Sequence, residues 1–244
     1  MHDDEFRQRY RELVKTYTAQ YPLDYAMRIA VGGEFEATGI LERQLLIQHG
    51  LRPDDSLVDV GCGSGRLAKA LGEYLVGAYL GIDVVPELIE YARGLVTRPD
   101  WRFELAEGFR IPEPDGQTDV VCFFSVFTHL LHEHSYLYLQ EAKRVLKPGG
   151  TVVLSFLEFS NSIHWAVFEQ AVRDASGPSV LTQFVSRDGI EAWASHLGFT
   201  VTAMEDGDKP FIILPEPVTM ESGQVLTERA AFGQSVCVLS APVG

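Results

Sequence analysis

Apolar residues recur along this chain at two alternating spacings. Phe35, Ile40, Leu41, Leu45, Leu46 and Ile47 fall at helical intervals and predict an amphipathic helix that ends at Gly50. Arg52-Pro53-Asp54-Asp55 reads as a turn. From there short apolar runs alternate with helical stretches. Residues 57–61 read as a buried strand, and Leu67, Ala70, Leu71 and Leu75 share one helix face. Residues 78–83 form a second strand, followed by a helix opened by Pro86 with Leu88, Ile89 and Ala92 facing inward. Residues 101–107 alternate like a strand. A turn at Pro112-Glu113-Pro114-Asp115-Gly116 precedes a strongly apolar strand at 120–126. The helix predicted over 135–146 stops at Lys147-Pro148-Gly149-Gly150, and 151–157 is the fifth strand. Buried strands alternating with helices predict an α/β fold, a parallel sheet with helices on both faces.

The flanks differ from this alternation. Residues 2–20 have helical tendency, Pro22 interrupts, and Val31-Gly32-Gly33 makes a joint. After residue 157 a helix is expected over 161–176, and Ser186 is placed to cap a helix ending at Gly198. Residues 199–204 and 235–240 read as late strands joined by a long loop rich in Pro, Gly and acids. A chain of 244 residues suits one domain. The expectation is a single domain over 1–244, in which 1–50 and 158–190 form small helical caps over the carboxyl edge of the sheet.

Composition narrows the setting. No apolar run approaches the roughly 20 residues that cross a bilayer, so membrane insertion is not expected. The start, Met1-His2-Asp3-Asp4-Glu5, is polar and acidic, unlike a signal peptide. Cys62, Cys122 and Cys237 are widely spaced, which argues against a disulfide framework or zinc site and for a reducing cytoplasm. The formal charge of −14 repels nucleic acid, and no basic run offsets it.

The strongest chemical signal is Val58-Asp59-Val60-Gly61-Cys62-Gly63-Ser64-Gly65-Arg66, between a predicted strand and a predicted helix. Glycines there permit a tight turn and close approach of a ligand to the backbone. Arg66 stands where the dinucleotide fingerprint requires its last glycine, which weighs against an NAD-dependent oxidoreductase. Asp59 can hold an ammonium group, for which a pyrophosphate has no use. Asp83 ends the second strand, where a carboxylate can accept both hydroxyls of a ribose. Glu107 ends the third. Three acids at successive strand ends converge on one crevice.

With these motifs the chain resembles class I S-adenosylmethionine-dependent methyltransferases. Residues 59–65 are similar to their first motif, Asp83 to the ribose ligand, and Glu107 to the acid near the adenine amine, although that position is often Asp. Thr118-Asp119-Val120-Val121 leading to Phe124-Ser125 resembles their fourth-strand motif. Arg144-Val145-Leu146-Lys147-Pro148-Gly149-Gly150 resembles their turn before strand five. The resemblance is close over residues 40–157. It implies a Rossmann-like seven-stranded mixed sheet in the order 3-2-1-4-5-7-6, its seventh strand antiparallel. It implies S-adenosylmethionine as cofactor, held by Asp59, Gly61, Cys62, Gly63, Asp83, Glu107, Gly108 and Phe124. Val84, Phe109 and Ile111 are available for an apolar adenine slot.

Methyl transfer from a sulfonium needs in-line alignment, and a hydroxyl acceptor also has to lose a proton. The stretch Ser125-Val126-Phe127-Thr128-His129-Leu130-Leu131-His132-Glu133-His134 follows strand four and is expected to line the crevice. His129 is the candidate base, against the plainer reading of a hydrogen-bonded loop histidine. His132 and His134 are expected to face solvent, and no Asp/Asn set accompanies them to make a metal site. His164-Trp165 and the N-terminal Tyr10, Tyr17, Tyr21 and Tyr25 could meet a substrate or simply pack. The expected function is methyl transfer to a hydroxyl of a small molecule such as a sugar, glycan or secondary metabolite. N-methylation of a small amine and a non-catalytic cofactor-binding subunit are the alternatives. The Asn-Pro-Pro-Tyr type of motif for nucleobase or protein-amide nitrogen is absent after strand four, where Phe124-Ser125-Val126-Phe127 stands.

Overall fold

Every residue of β1 (Leu57–Val60) is buried, because the strand lies between two parallel neighbours, β2 (Tyr79–Asp83) and β4 (Thr118–Phe123). The computed structural model describes residues 3–175 and 180–243. Around β1 a seven-stranded sheet is built, extended on one side by β3 (Arg102–Leu105) and on the other by β5 (Leu146–Phe156). β6 (Thr200–Glu205) closes that side, separated from β5 by a last strand that pairs antiparallel with both. Four two-residue strands come before it in the chain: β7 (Ile212–Ile213), β8 (Val218–Thr219), β9 (Val225–Leu226) and β10 (Arg229–Ala230). The last strand is therefore β11 (Ser235–Ser240), and the order is β3-β2-β1-β4-β5-β11-β6. This is the expected Rossmann-like mixed sheet.

Alternate strand residues enter opposite cores. Leu57, Cys122 and Val153 join one cluster, while Val58, Val121 and Leu154 join the other. The helices α3 (Phe35–Gln48), α4 (Arg66–Leu71), α5 (Pro86–Leu95), α6 (His132–Val145) and α8 (Arg187–Leu197) flank the sheet; α1 (Asp3–Gln20) and α2 (Leu23–Ala30) precede them and α7 (His164–Asp174) follows β5. Val14 of α1 and Met27 and Ala30 of α2 pack on Val85 and Leu88 at the start of α5. The Ser186 hydroxyl caps α8 by accepting the Gly189 N–H, and Gly198 ends the helix in the left-handed region.

Four expectations need correction. Strand four stops at Phe123 rather than continuing to residue 126, because Ser125 takes a φ of 59° and turns the chain. Strand five starts at Leu146, so Lys147-Pro148-Gly149-Gly150 lies inside it; Gly149 absorbs the irregularity with a φ of 76°. Residues 23–30 form α2, which the sequence reading passed over. The stretch between β6 and β11 is built into two small antiparallel ladders whose Phe211, Ile212, Leu214 and Val218 are buried in a cluster shared with Leu41 and Leu45 of α3. Among the described residues no helix is long and apolar enough to cross a membrane.

Candidate functional site

A cleft opens at the carboxyl ends of β1, β2 and β4, lined by side chains from these strands, from the turns that follow them and from the N-terminal helices. Its floor is the turn from β1 into α4. Gly61 and Gly63 hold φ values of 78° and 54°, a region costly to residues with a Cβ. Their neighbours leave no room either. A Cβ on Gly61 would fall on the Val126 Cγ2 methyl, and one on Gly63 would come within 2.6 Å of Val31 Cγ1. The glycines therefore let two side chains, one from the loop after β4 and one from the end of α2, close down on the turn.

Asp83 is tied to this turn. Its Oδ2 accepts the Gly63 N–H at 2.9 Å and its Oδ1 the Val85 N–H at 2.9 Å. Burial raises its pKa against the opposing effect of these N–H donors. The carboxylate is held in one orientation at the mouth of the cleft, with lone pairs remaining for a diol. Asp59 lies deeper, 3% exposed. Tyr79 donates its hydroxyl hydrogen to Asp59 Oδ2 at 2.7 Å, and the Cys122 thiol lies 3.6 Å from Oδ1. Burial pushes the Asp59 pKa up to about 7, with Glu42 adding to the rise and the Tyr79 hydroxyl opposing it. A buried carboxylate in that state is poised to gain from a cation.

Arg66 turns back from the start of α4 to pair with Glu42, which is 2% exposed, at 2.5 Å, and donates to the Val31 carbonyl at 2.8 Å. Both ends of the pair line the cleft. The opposite wall is the loop after β4. Phe124, Ser125, Val126, His129 and Leu130 all face the cleft. His129 Nδ1 lies 2.8 Å from the Leu181 carbonyl. A carbonyl can only accept, so Nδ1 carries the proton and Nε2 the lone pair. Burial lowers the His129 pKa, so the ring is neutral at physiological pH. The Gln183 N–H donates to the Thr128 carbonyl and His132 Nε2 lies 3.0 Å from the Phe184 carbonyl, so residues 181–184 are stitched along this loop.

Asp59, Gly61, Cys62, Gly63, Asp83, Val84, Phe124 and His129 are thus brought together around one cleft. Glu107, Gly108 and Phe109 are not among its lining residues. Glu107 is exposed, the Gly108 carbonyl accepts from Arg7 at 3.2 Å, and Phe109 stacks on His134 at 4.3 Å between ring centres. The wall at the end of β3 is Ala106, because α1 lies across that edge and its Arg7 also grips the Ala106 carbonyl at 3.0 Å. Ile111 is buried in the core. His134 is half-buried rather than solvent-facing. His164 is 1% exposed and bonded to backbone at Glu158 and Gly233, a packed residue, while Trp165 is largely exposed. The sequence reading missed Glu42, Val31, Leu88 and Tyr138 as lining residues, and left Tyr10 undecided. Tyr10 reaches the cleft from α1 and meets the His129 ring edge-on at 5.9 Å; burial and the charge of Asp83 push its phenol up to about 12. A charged residue inside the apolar stripe of α3 was the available signal for Glu42.

Comparison with known proteins agrees with this geometry. Residues 58–154 match the family described as a methyltransferase domain. The 27-O-demethylrifamycin SV methyltransferase of Amycolatopsis mediterranei is 29% identical over 176 residues, covering 70% of this chain and 63% of that protein. The chain spans under two thirds of the length of the first curated relatives it matches. A Haloferax volcanii protein solved in complex with the Trm112 methyltransferase activator shares the fold at a TM-score of 0.66 and 22% identity, over 96% of this chain and 97% of that one. The magnesium protoporphyrin IX methyltransferase of Synechocystis PCC 6803, solved with bound SAH, does so at 0.62 and 14% identity, over the same shares. The glycine turn at the foot of the cleft and the acid that ends β2 lie within the stretch that matches the methyltransferase domain family, and the strand order is the Rossmann-like order of the methyltransferase structures the chain resembles.

Proposed function

We propose that this protein transfers a methyl group from S-adenosylmethionine to a hydroxyl of a small molecule. When bound, the cofactor supplies an electrophilic methyl on a sulfonium. In this reading Asp83 holds the ribose hydroxyls, Asp59 the ammonium, and the backbone of Gly61, Cys62 and Gly63 lies against the amino-acid portion. Val84 and Leu88 offer apolar surface to the adenine, and Phe124 walls the cleft toward the acceptor. The described residues of the segments 1–50 and 158–190 act as caps that narrow the entrance and shape the acceptor side; residues 1–2 and 176–179 of those segments lie outside the described residues.

The observation that carries the hydroxyl reading is the state of His129. It lies in the cleft wall after β4, and the Leu181 carbonyl fixes its tautomer with the lone pair on Nε2. Its lowered pKa keeps it neutral, as a proton acceptor must be. Nε2 takes the hydroxyl proton as the oxygen is alkylated, and Leu181 steadies the imidazolium that results. The relative that acts on 27-O-demethylrifamycin SV, by its name, supports an oxygen acceptor on a small molecule.

The test is transfer of labelled methyl to an acceptor identified from extracts of the native organism. With that acceptor, His129→Ala is expected to lower single-turnover rates by about 10²–10⁴-fold, with S-adenosylhomocysteine affinity unchanged and partial recovery at higher pH. An unchanged rate, or a product methylated on nitrogen, refutes the hydroxyl reading.

A further inference from the structure

Ser125 combines a backbone normally avoided by serine with an unusually complete set of restraints. Its φ of 59° lies in the left-handed region, where a residue with a Cβ persists only if its surroundings dictate it. They do. The Ser125 N–H donates to Ser155 Oγ at 2.7 Å, and the Ser125 carbonyl accepts from the Thr128 hydroxyl at 2.7 Å. Ser155 Oγ donates to Gln234 Oε1 at 2.8 Å, and Gln234 Nε2 donates to Ser125 Oγ at 3.0 Å.

The orientation of the Gln234 amide sets the directions in this ring. Ser155 Oγ accepts the Ser125 amide hydrogen and gives its own hydrogen to Gln234 Oε1. The Gln234 nitrogen then faces Ser125 and donates. Ser125 Oγ is thereby an acceptor within the ring, and its hydrogen is directed outside it. Ser125 lines the cleft, as does His129. The compact turn at Phe127–His129, closed by the His129 N–H on the Val126 carbonyl at 2.9 Å, sets the two on one wall. One wall thus carries a hydroxyl donor and an imidazole acceptor.

We propose that Ser125 recognises the methyl acceptor by donating a hydrogen bond to an oxygen adjacent to the hydroxyl that faces His129. The site therefore selects vicinally oxygenated molecules, namely 1,2-diols and α-hydroxycarbonyl compounds. This rests on the hydroxyl reading above and narrows it to a substrate class.

The experiment measures binding of matched probes to the protein loaded with S-adenosylhomocysteine: catechol against phenol, and cis-cyclohexane-1,2-diol against cyclohexanol, with benzylamine as a nitrogen control. The wild-type protein is expected to prefer each vicinal compound by about tenfold, the scale of one hydrogen bond. Ser125→Ala and Ser125→Gly lose that preference while keeping affinity for the single hydroxyls and for S-adenosylhomocysteine. Ser125→Gly also removes the backbone strain, so its result does not depend on a strained variant folding. Ser125→Asn, which tolerates left-handed backbone and carries an N–H donor, restores part of the preference. Equal binding of both members of each pair by the wild type, or a preference that survives in Ser125→Gly, overturns the inference and leaves the hydroxyl reading standing. Binding of benzylamine with no binding of any hydroxyl probe, or no binding of any probe at all, overturns the hydroxyl reading and this inference with it.

Discussion

Asp59 is a carboxyl group shared between two demands. Unliganded, its burial favours the protonated form up to about pH 7. The cofactor ammonium proposed to meet it requires the carboxylate. Cofactor binding below neutrality therefore has to release a proton, and affinity is expected to rise about tenfold between pH 6 and pH 8, then level off. Titration calorimetry in buffers of differing ionisation heat checks this directly, and affinity flat across that range would remove Asp59 from the ammonium site. The stability of the unliganded protein runs the other way. The folded pKa is raised, so this group's contribution is complete below its unfolded pKa and is lost as pH rises through 7. Asp59, Asp83 and His129 were legible from sequence as residues of the cleft because each lies in, at the end of, or just after a strand within a recognisable motif. Tyr10 and Glu42 were not placed in the cleft, because they come from helices ahead of the motif, and no local pattern states where such a helix folds back. Glu107 lies outside the lining of the cleft for the same reason, since nothing near it announces that Arg7 of α1 takes the end of β3.

The turn from β1 to α4 and the loop after β4 are fitted to one another through Gly61 and Val126. Gly61→Ala meets two separate obstacles, a positive φ and the Val126 methyl. It is expected to destabilise the fold by about 1–3 kcal/mol and to weaken cofactor binding. Val126→Ala in the same chain relieves the steric part and leaves the backbone part. A double-mutant cycle by chemical denaturation should therefore show positive but incomplete rescue; strict additivity would mean that the two elements do not bear on each other. The element boundaries tell a similar story. Strand four was drawn too long because Phe124, Ser125, Val126 and Phe127 continue its apolar run, while the break at Ser125 is imposed by Ser155 and Gln234 from far along the chain. Strand five was drawn too short because Pro148 and the paired glycines look like a stop. Residues 211–230 read as loop because strands of two residues are too short to show a period, although Phe211, Ile212, Leu214 and Val218 are buried in a cluster with residues of α3.

Across the whole molecule, the segment that leaves β5 is bound to the start of α8 by a single ionic node. Glu158, 1% exposed, pairs with Arg187 at 2.7 Å, and Ser160 and Ser235 each donate to it at 2.5 Å. Arg187 also reaches Asp206 at the end of β6. Burial alone would raise the Glu158 pKa, but these donors hold it below the usual range. Arg187→Ala strips the buried carboxylate of its charge partner. It is expected to cost about 3 kcal/mol, the lower end for a broken buried pair, because the two hydroxyls stay. Thermal unfolding of Arg187→Ala beside the double variant Arg187→Ala/Glu158→Gln measures it, and equal melting of the two would show that the carboxylate is not stranded. The node also fixes the ends of the intervening stretch at a distance that does not depend on what lies between. The closing entropy of such a stretch grows only with the logarithm of its length, about 0.6 kcal/mol for a doubling. In closing entropy alone, changes of length between Glu158 and Arg187 are therefore cheap, and their larger cost comes through Leu181, Gln183 and Phe184, which hold the loop after β4. Descendants of this chain that alter that stretch therefore reshape the His129 wall while the sheet and the glycine turn stay fixed.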